Sequence, residues 1–127
     1  MKHHPGRPIF SYMELLRQVS PWVNIVPLAR NDFNLAKSNL AWLEGSAIGA
    51  ATLAPKWEEW LRPGVVNYDG PHEFSNRLKG LLDKFGEQDQ NSSVLHNVND
   101  SRHCISEEHT LEHINRMRWE ILNANLP

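Results

Sequence analysis

Three short apolar runs, residues 22–28 (WVNIVPL), 50–54 (AATLA) and 65–68 (VVNY), alternate along this chain with segments of helical period. Runs of this length bounded by Gly and Pro read as buried strands. The order strand, helix, strand, short helix, strand, helix, with brief loops, implies a parallel sheet with right-handed crossovers. The expected fold class is therefore α/β: about three parallel strands flanked by helices, with a further helix at the C-terminus. That is half of a Rossmann-like doubly wound domain, which has about six strands when complete.

Local signals place the elements. Ser11 and Glu14 have capping-box spacing, and Leu15, Leu16 and Val19 give a short helix ending before Pro21. Pro27 removes a ladder donor and should end pairing of the first strand. Residues 29–37 form a polar loop, and Ser38 is the predicted N-cap of a helix running to about Ile48. Leu40, Leu43 and Ala47 form its expected apolar face, and Gly49 takes the C′ position. A later helix over 73–85 has Phe74, Leu78, Leu81, Leu82 and Phe85 on its apolar side.

Charge divides the chain. Residues 1–85, read as the partial α/β domain with an extended lead-in over 1–8, carry 10 Lys+Arg and 8 Asp+Glu. Residues 86–127 carry 3 and 7. Residues 86–105, rich in Gln, Asn, Ser and Asp, are predicted to be a polar connector. Residues 106–127 form an amphipathic helix opened by Ser106, Glu107 and Glu108, with Leu111, Ile114, Met117 and Ile121 as its stripe. It should pack on the domain or on a partner. A half sheet leaves an edge that invites pairing. The expectation is that the 106–123 helix, self-association or a partner protein covers it.

The overall balance excludes several classes. A net charge of −2 gives no basis for general nucleic-acid or membrane-surface binding. No apolar run approaches spanning length, and the first residues lack the apolar core of a signal peptide. The single Cys104 cannot close an internal disulfide, so a cytoplasmic protein is the default. No cofactor and no metal site are expected: His109 and His113 lie four apart, but there is no H-E-x-x-H.

The chemistry concentrates after the first strand. Loops at the carboxyl ends of parallel strands, opening helix N-termini, are where α/β sheets bind ligands. The free N–H groups of Asn39, Leu40 and Ala41 favour an anion, and Lys37 sits just before them. Glu44 lies about 9 Å further along the helix, roughly the separation between a nucleotide's diphosphate and its ribose. Asn34 reads equally as a ligand contact or a loop-capping side chain. Trp57, Trp60 and Trp119 read as core or interface anchors before they read as sugar-stacking rings.

Residues 24–28 (NIVPL), Phe33-Asn34-x-Ala36-Lys37-Ser38, Trp42-Leu43-Glu44 and Ala47-x-Gly49 together resemble group-1 glycosyltransferases of GT-B fold. Those enzymes are retaining and carry an F-N-x-x-K-S-x-x-K-x-x-E signature. The resemblance covers residues 9–83, about the later half of that family's C-terminal donor-binding domain. It implies binding of a nucleoside-diphosphate sugar of UDP or GDP type, with Glu44 at the ribose. Lys37 and Ser38 then face the diphosphate, with Asn34 and Asn39 beside them. This chain has Ala41 where the family has Lys and Ala51 where it has Pro. The family's acceptor site and further phosphate-binding residues lie in parts that residues 9–83 do not match, so no catalytic residue is expected here. The expected function is a glycosyltransferase-like donor-binding fragment, incomplete for catalysis alone. The alternative is a non-enzymatic interaction or oligomerisation module derived from a truncated glycosyltransferase domain.

Overall fold

The computed structural model describes residues 9–84 and 93–124. The lead-in over 1–8, the first part of the connector and Phe85 lie outside the described residues. The elements are helix α1 (Ile9–Val19), strand β1 (Val23–Ile25), the single-turn helix α2 (Asp32–Leu35), α3 (Leu40–Ile48) and β2 (Ala51–Pro55). After a 3-10 turn (Glu58–Trp60) come β3 (Val66–Tyr68), α4 (Gly70–Asp83), α5 (Ser93–Glu108) and α6 (Leu111–Ala124).

The three strands form one parallel sheet in the order β1-β2-β3. Val23 lies opposite Ala51, Leu53 opposite Val66 and Pro55 opposite Tyr68. The chain is thus α/β, a three-stranded parallel sheet flanked by helices, consistent with part of a doubly wound domain. Every residue of β2 is buried, as a central strand covered on both faces must be. Pairing of β1 stops where Pro27 predicts: the Val26 N–H still reaches the Leu53 carbonyl at 2.9 Å, and Pro27 has no N–H to continue the ladder.

Because side chains alternate along a strand, the sheet has two separate cores. Ala51, Leu53 and Tyr68 meet Leu81, Phe74 and Leu78 of α4 and Val94 and Val98 of α5. On the opposite face Val26 and Ala54 meet Trp42 of α3, Trp60, and Cys104 and Ile105 of α5.

The apolar face expected for α3 is not the one it buries. Leu40 is 56% exposed and Ala47 is exposed, with Leu43 half-buried. The helix instead turns Trp42, Gly45 and Ser46 inward. Gly45 explains the rotation: a Cβ there would stand 2.8 Å from Asn24 Nδ2 and 3.1 Å from Thr52 Oγ1. The helix therefore sits close enough for Asn24 Nδ2 to donate to the Ala41 carbonyl at 2.5 Å. Ser38 is exposed and does not cap α3. Asn39 holds the N-cap position without a side-chain cap bond, and its N–H donates to Glu59 Oε1 at 3.2 Å. A carboxylate from the turn after β2 supplies the negative charge that the helix dipole favours. Gly49 closes α3 in the left-handed region, φ 84°, as its C′ position predicts.

The largest difference lies in the predicted connector. Residues 93–108 are not a polar linker: they form α5, a 16-residue helix whose Val94, Val98, Ser101 and Cys104 are buried. It crosses the segments leading into β2 and β3, where Arg102 Nε donates to the Ser46 carbonyl at 3.0 Å and Ser101 Oγ donates to the Pro63 carbonyl at 2.9 Å. Ser106 consequently lies inside α5 and opens nothing. The last helix begins at Leu111, with Thr110 Oγ1 accepting the His113 N–H.

That last helix packs chiefly on α5. Leu111, Met117 and Trp119 are exposed, Ile114 is half-buried, and the side chain of Ile121 is outside the described set. Neither edge strand is among its main packing partners, and among the described residues β1 and β3 each keep one unpaired edge. No described helix is long and apolar enough to cross a membrane.

Candidate functional site

The carboxyl ends of β1, β2 and β3 open into a cavity of about 490 Å³. The chain geometry makes it: the strands stop at Ile25, Pro55 and Tyr68, and the following segments diverge before α2, the 3-10 turn and α4. Its floor is Leu28, Pro55, Tyr68 and Phe74, with Trp57 on one wall and Arg30 and Asp69 among its lining. The volume, the aromatic lining and the few polar groups are those of a small-molecule site. Tyr68 is fixed by donating its hydroxyl to the Val26 carbonyl at 2.8 Å and by an edge-on contact with Phe74 at 5.0 Å. Burial pushes its phenol above the ordinary range, opposed by a backbone hydrogen bond from Leu28.

A second groove, about 300 Å³, runs along β1 between α1 and α3. Glu44 reaches it from α3, together with Tyr12 and Leu16 from α1 and Asn24 and Ile25 from β1. The Tyr12 hydroxyl donates to Glu44 Oε2 at 3.2 Å. Burial, then the Glu44 carboxylate, raise the Tyr12 pKa. This groove borders the unpaired edge of β1.

The residues singled out in the sequence are therefore distributed. Asn34 is the loop clamp: its Nδ2 donates to the Ala29 carbonyl at 2.7 Å, and its N–H to Asn31 Oδ1 at 2.8 Å. Lys37 is exposed, with Nζ 5.2 Å from the centre of the Phe33 ring, a modest attraction in water. Ser38 is exposed beside it. Asn39 is engaged by Glu59, which itself lies 3.3 Å from Arg62. Asn34, Lys37, Ser38 and Asn39 share the segment from α2 to the start of α3, while Glu44 is set apart in the β1 groove. None of the first four lines either cavity.

The sequence passed over the carboxyl-edge cavity, although its lining residues stand at strand ends. Trp57, Tyr68, Asp69 and Phe74 carry no motif among themselves. The signal that points to them is positional, the first residues after each parallel strand.

No family model, curated protein or solved structure matches this chain.

The described elements hold two cationic loop residues (Arg30 and Lys37), a carboxylate in the β1 groove (Glu44), and an aromatic cavity at the strand ends whose lining includes Arg30 and Asp69. Such groups bind and orient.

Proposed function

We propose that this chain binds a nucleoside-diphosphate sugar as the later half of a donor-binding domain, without completing glycosyl transfer by itself. The observation that carries the proposal is the placement of Glu44. In a doubly wound sheet ordered 3-2-1-4-5-6, ligands bind at the carboxyl ends of the strands where the order reverses, beside strand 4. Three parallel strands in sequential order, preceded by a helix, match strands 4, 5 and 6 of that scheme. The outer edge of β1 is then the switch point, and the Glu44 groove borders that edge.

A ribose along β1 meets Glu44 as a hydrogen-bond acceptor for its vicinal hydroxyls, and Oε1 remains for this when Tyr12 occupies Oε2. The diphosphate extends toward Lys37 and Ser38. Glu59 competes for the N-terminus of α3 there, and a phosphate must share or displace its contact with Asn39. Thermal denaturation in rising concentrations of UDP, GDP and their sugars tests the proposal, since a ligand that binds only the folded chain raises the midpoint. A midpoint unmoved at millimolar nucleotide counts against it.

A second reading, an interaction module with no small-molecule ligand, is favoured by α6. Leu111 is 79% and Trp119 67% exposed, and Met117 is exposed on the same helix. A partner or second copy covering these side chains also leaves nucleotide without effect. Sedimentation across a dilution series separates the two readings: this module self-associates or binds a protein, and nucleotide changes nothing.

A further inference from the structure

Away from both cavities, three metal-competent side chains converge where α5 ends. Cys104, Glu108 and His109 place one sulfur, one carboxylate oxygen and one imidazole nitrogen all within 4.8 Å of one another. We propose that these three residues bind a zinc-type divalent cation, with the fourth coordination position left to water.

The geometry is close to what such an ion needs. Cys104 and Glu108 lie one helical turn apart, on one face of α5, and Cys104 Sγ is 3.8 Å from Glu108 Oε2. In a tetrahedral site with Zn–S and Zn–O bonds of about 2.3 and 2.0 Å, a sulfur and an oxygen stand about 3.5 Å apart. That pair closes around an ion with a shift of a few tenths of an ångström. His109, from the bend between α5 and α6, brings a ring nitrogen within 4.8 Å of both atoms.

The imidazole is already oriented. Its ring stands edge-on to the buried Trp42 ring, with centroids 5.3 Å apart and planes at 80°. Trp42 is in turn held by its indole bond to Ser101 at 3.1 Å. This packing limits the rotation of the imidazole ring.

Donor chemistry selects the ion. One thiolate, one imidazole and one carboxylate suit zinc or cobalt, and not magnesium or calcium, which take oxygen ligands. Charge also balances: a divalent cation offsets the thiolate and the carboxylate, leaving the site neutral beside Arg62. At present the thiol proton points to Glu108. Metal binding replaces the S–H bond with an S–metal bond and sends that proton to solvent, with no change of oxidation state. An open groove of about 280 Å³, lined by Pro63, Asp100, His103 and Glu107 alongside the Cys104–Glu108 pair, gives the ion its entry path.

Cobalt(II) titration of the reduced full chain tests the site. The expected result is a 1:1 complex with tetrahedral visible bands and a thiolate-to-cobalt charge-transfer band in the near ultraviolet, both removed by zinc. Cys104→Ser should abolish the charge-transfer band. The exposed Glu108→Gln and His109→Gln should each weaken binding by at least the ~10-fold that loss of an outer-shell partner costs, with the helical circular dichroism unchanged. No cobalt spectrum at millimolar metal overturns the proposal. So does a spectrum unaltered in Cys104→Ser, or one indifferent to both Glu108→Gln and His109→Gln.

Discussion

The indole N–H of Trp42 donates to Ser101 Oγ at 3.1 Å, joining two fully packed residues that stand 59 positions apart. Ser101 passes the bond on to the Pro63 carbonyl at 2.9 Å. One hydroxyl thus ties α3, α5 and the segment leading into β3. Ser101→Ala removes a partner from both groups and should cost about 1–3 kcal/mol. Urea denaturation of the two proteins measures it; a change under about 0.5 kcal/mol would show that the relay is dispensable.

Gly64 marks where α5 presses on that segment. Its φ is +73°, and an added Cβ would overlap the Asn97 carbonyl oxygen and Ser101 Oγ. Backbone strain and steric overlap act together here, so Gly64→Ala should be among the most damaging single changes, on the order of 3 kcal/mol or more. Gly80, on α4, has open space around its Cβ position. Gly80→Ala should stabilise the chain by about 0.5–1 kcal/mol. Melting curves of the pair should move in opposite directions.

Thr52 is buried on the face of the sheet that α3 covers, and among the described residues its hydroxyl has no hydrogen-bond partner. An unpaired buried hydroxyl costs free energy that a methyl group of the same shape does not. Thr52→Val should raise the unfolding free energy by about 1 kcal/mol, read from denaturant midpoints at constant slope. A loss of stability would mean that the hydroxyl is bonded in solution.

Glu73 gives the fold one defined acid response. The backbone N–H of Asp69, at 2.8 Å, and then Arg77 hold its carboxyl below the ordinary 4.5. A folded pKa below the unfolded one means that this contribution is complete above pH 4.5 and fades as pH falls through the depressed value. Stability profiles of the natural chain and Glu73→Gln should therefore run parallel above about pH 5 and converge in acid. A constant separation down to pH 2 would assign the difference to something other than this charge.

What the sequence discloses depends on the range of the interaction. The three strands, Gly49 as the end of α3 and the helix begun near Glu73 follow from runs, turns and periodicity within a few residues. Helix α5 was hidden because its inward stripe (Val94, Val98, Ser101, Cys104) includes a serine whose burial depends on Trp42 and Pro63, both distant in sequence. The rotation of α3 was hidden for the same reason: the contact of Gly45 with Asn24 and Thr52 exists only after the sheet forms. At the candidate site, the segment from Asn34 to Asn39 was visible as a loop before a helix. Its engagement by Glu59, twenty residues downstream of Asn39, was not.

Calorimetric titration of UDP, GDP and their sugars into the natural chain, Glu44→Ala and Trp57→Ala tests donor binding along β1 most directly. Binding should be saturable for one nucleotide type, lost in Glu44→Ala and retained in Trp57→Ala, whose side chain lines the carboxyl-edge cavity and not the Glu44 groove. No heat from any nucleotide at millimolar concentration, or affinity unchanged by Glu44→Ala, would contradict it.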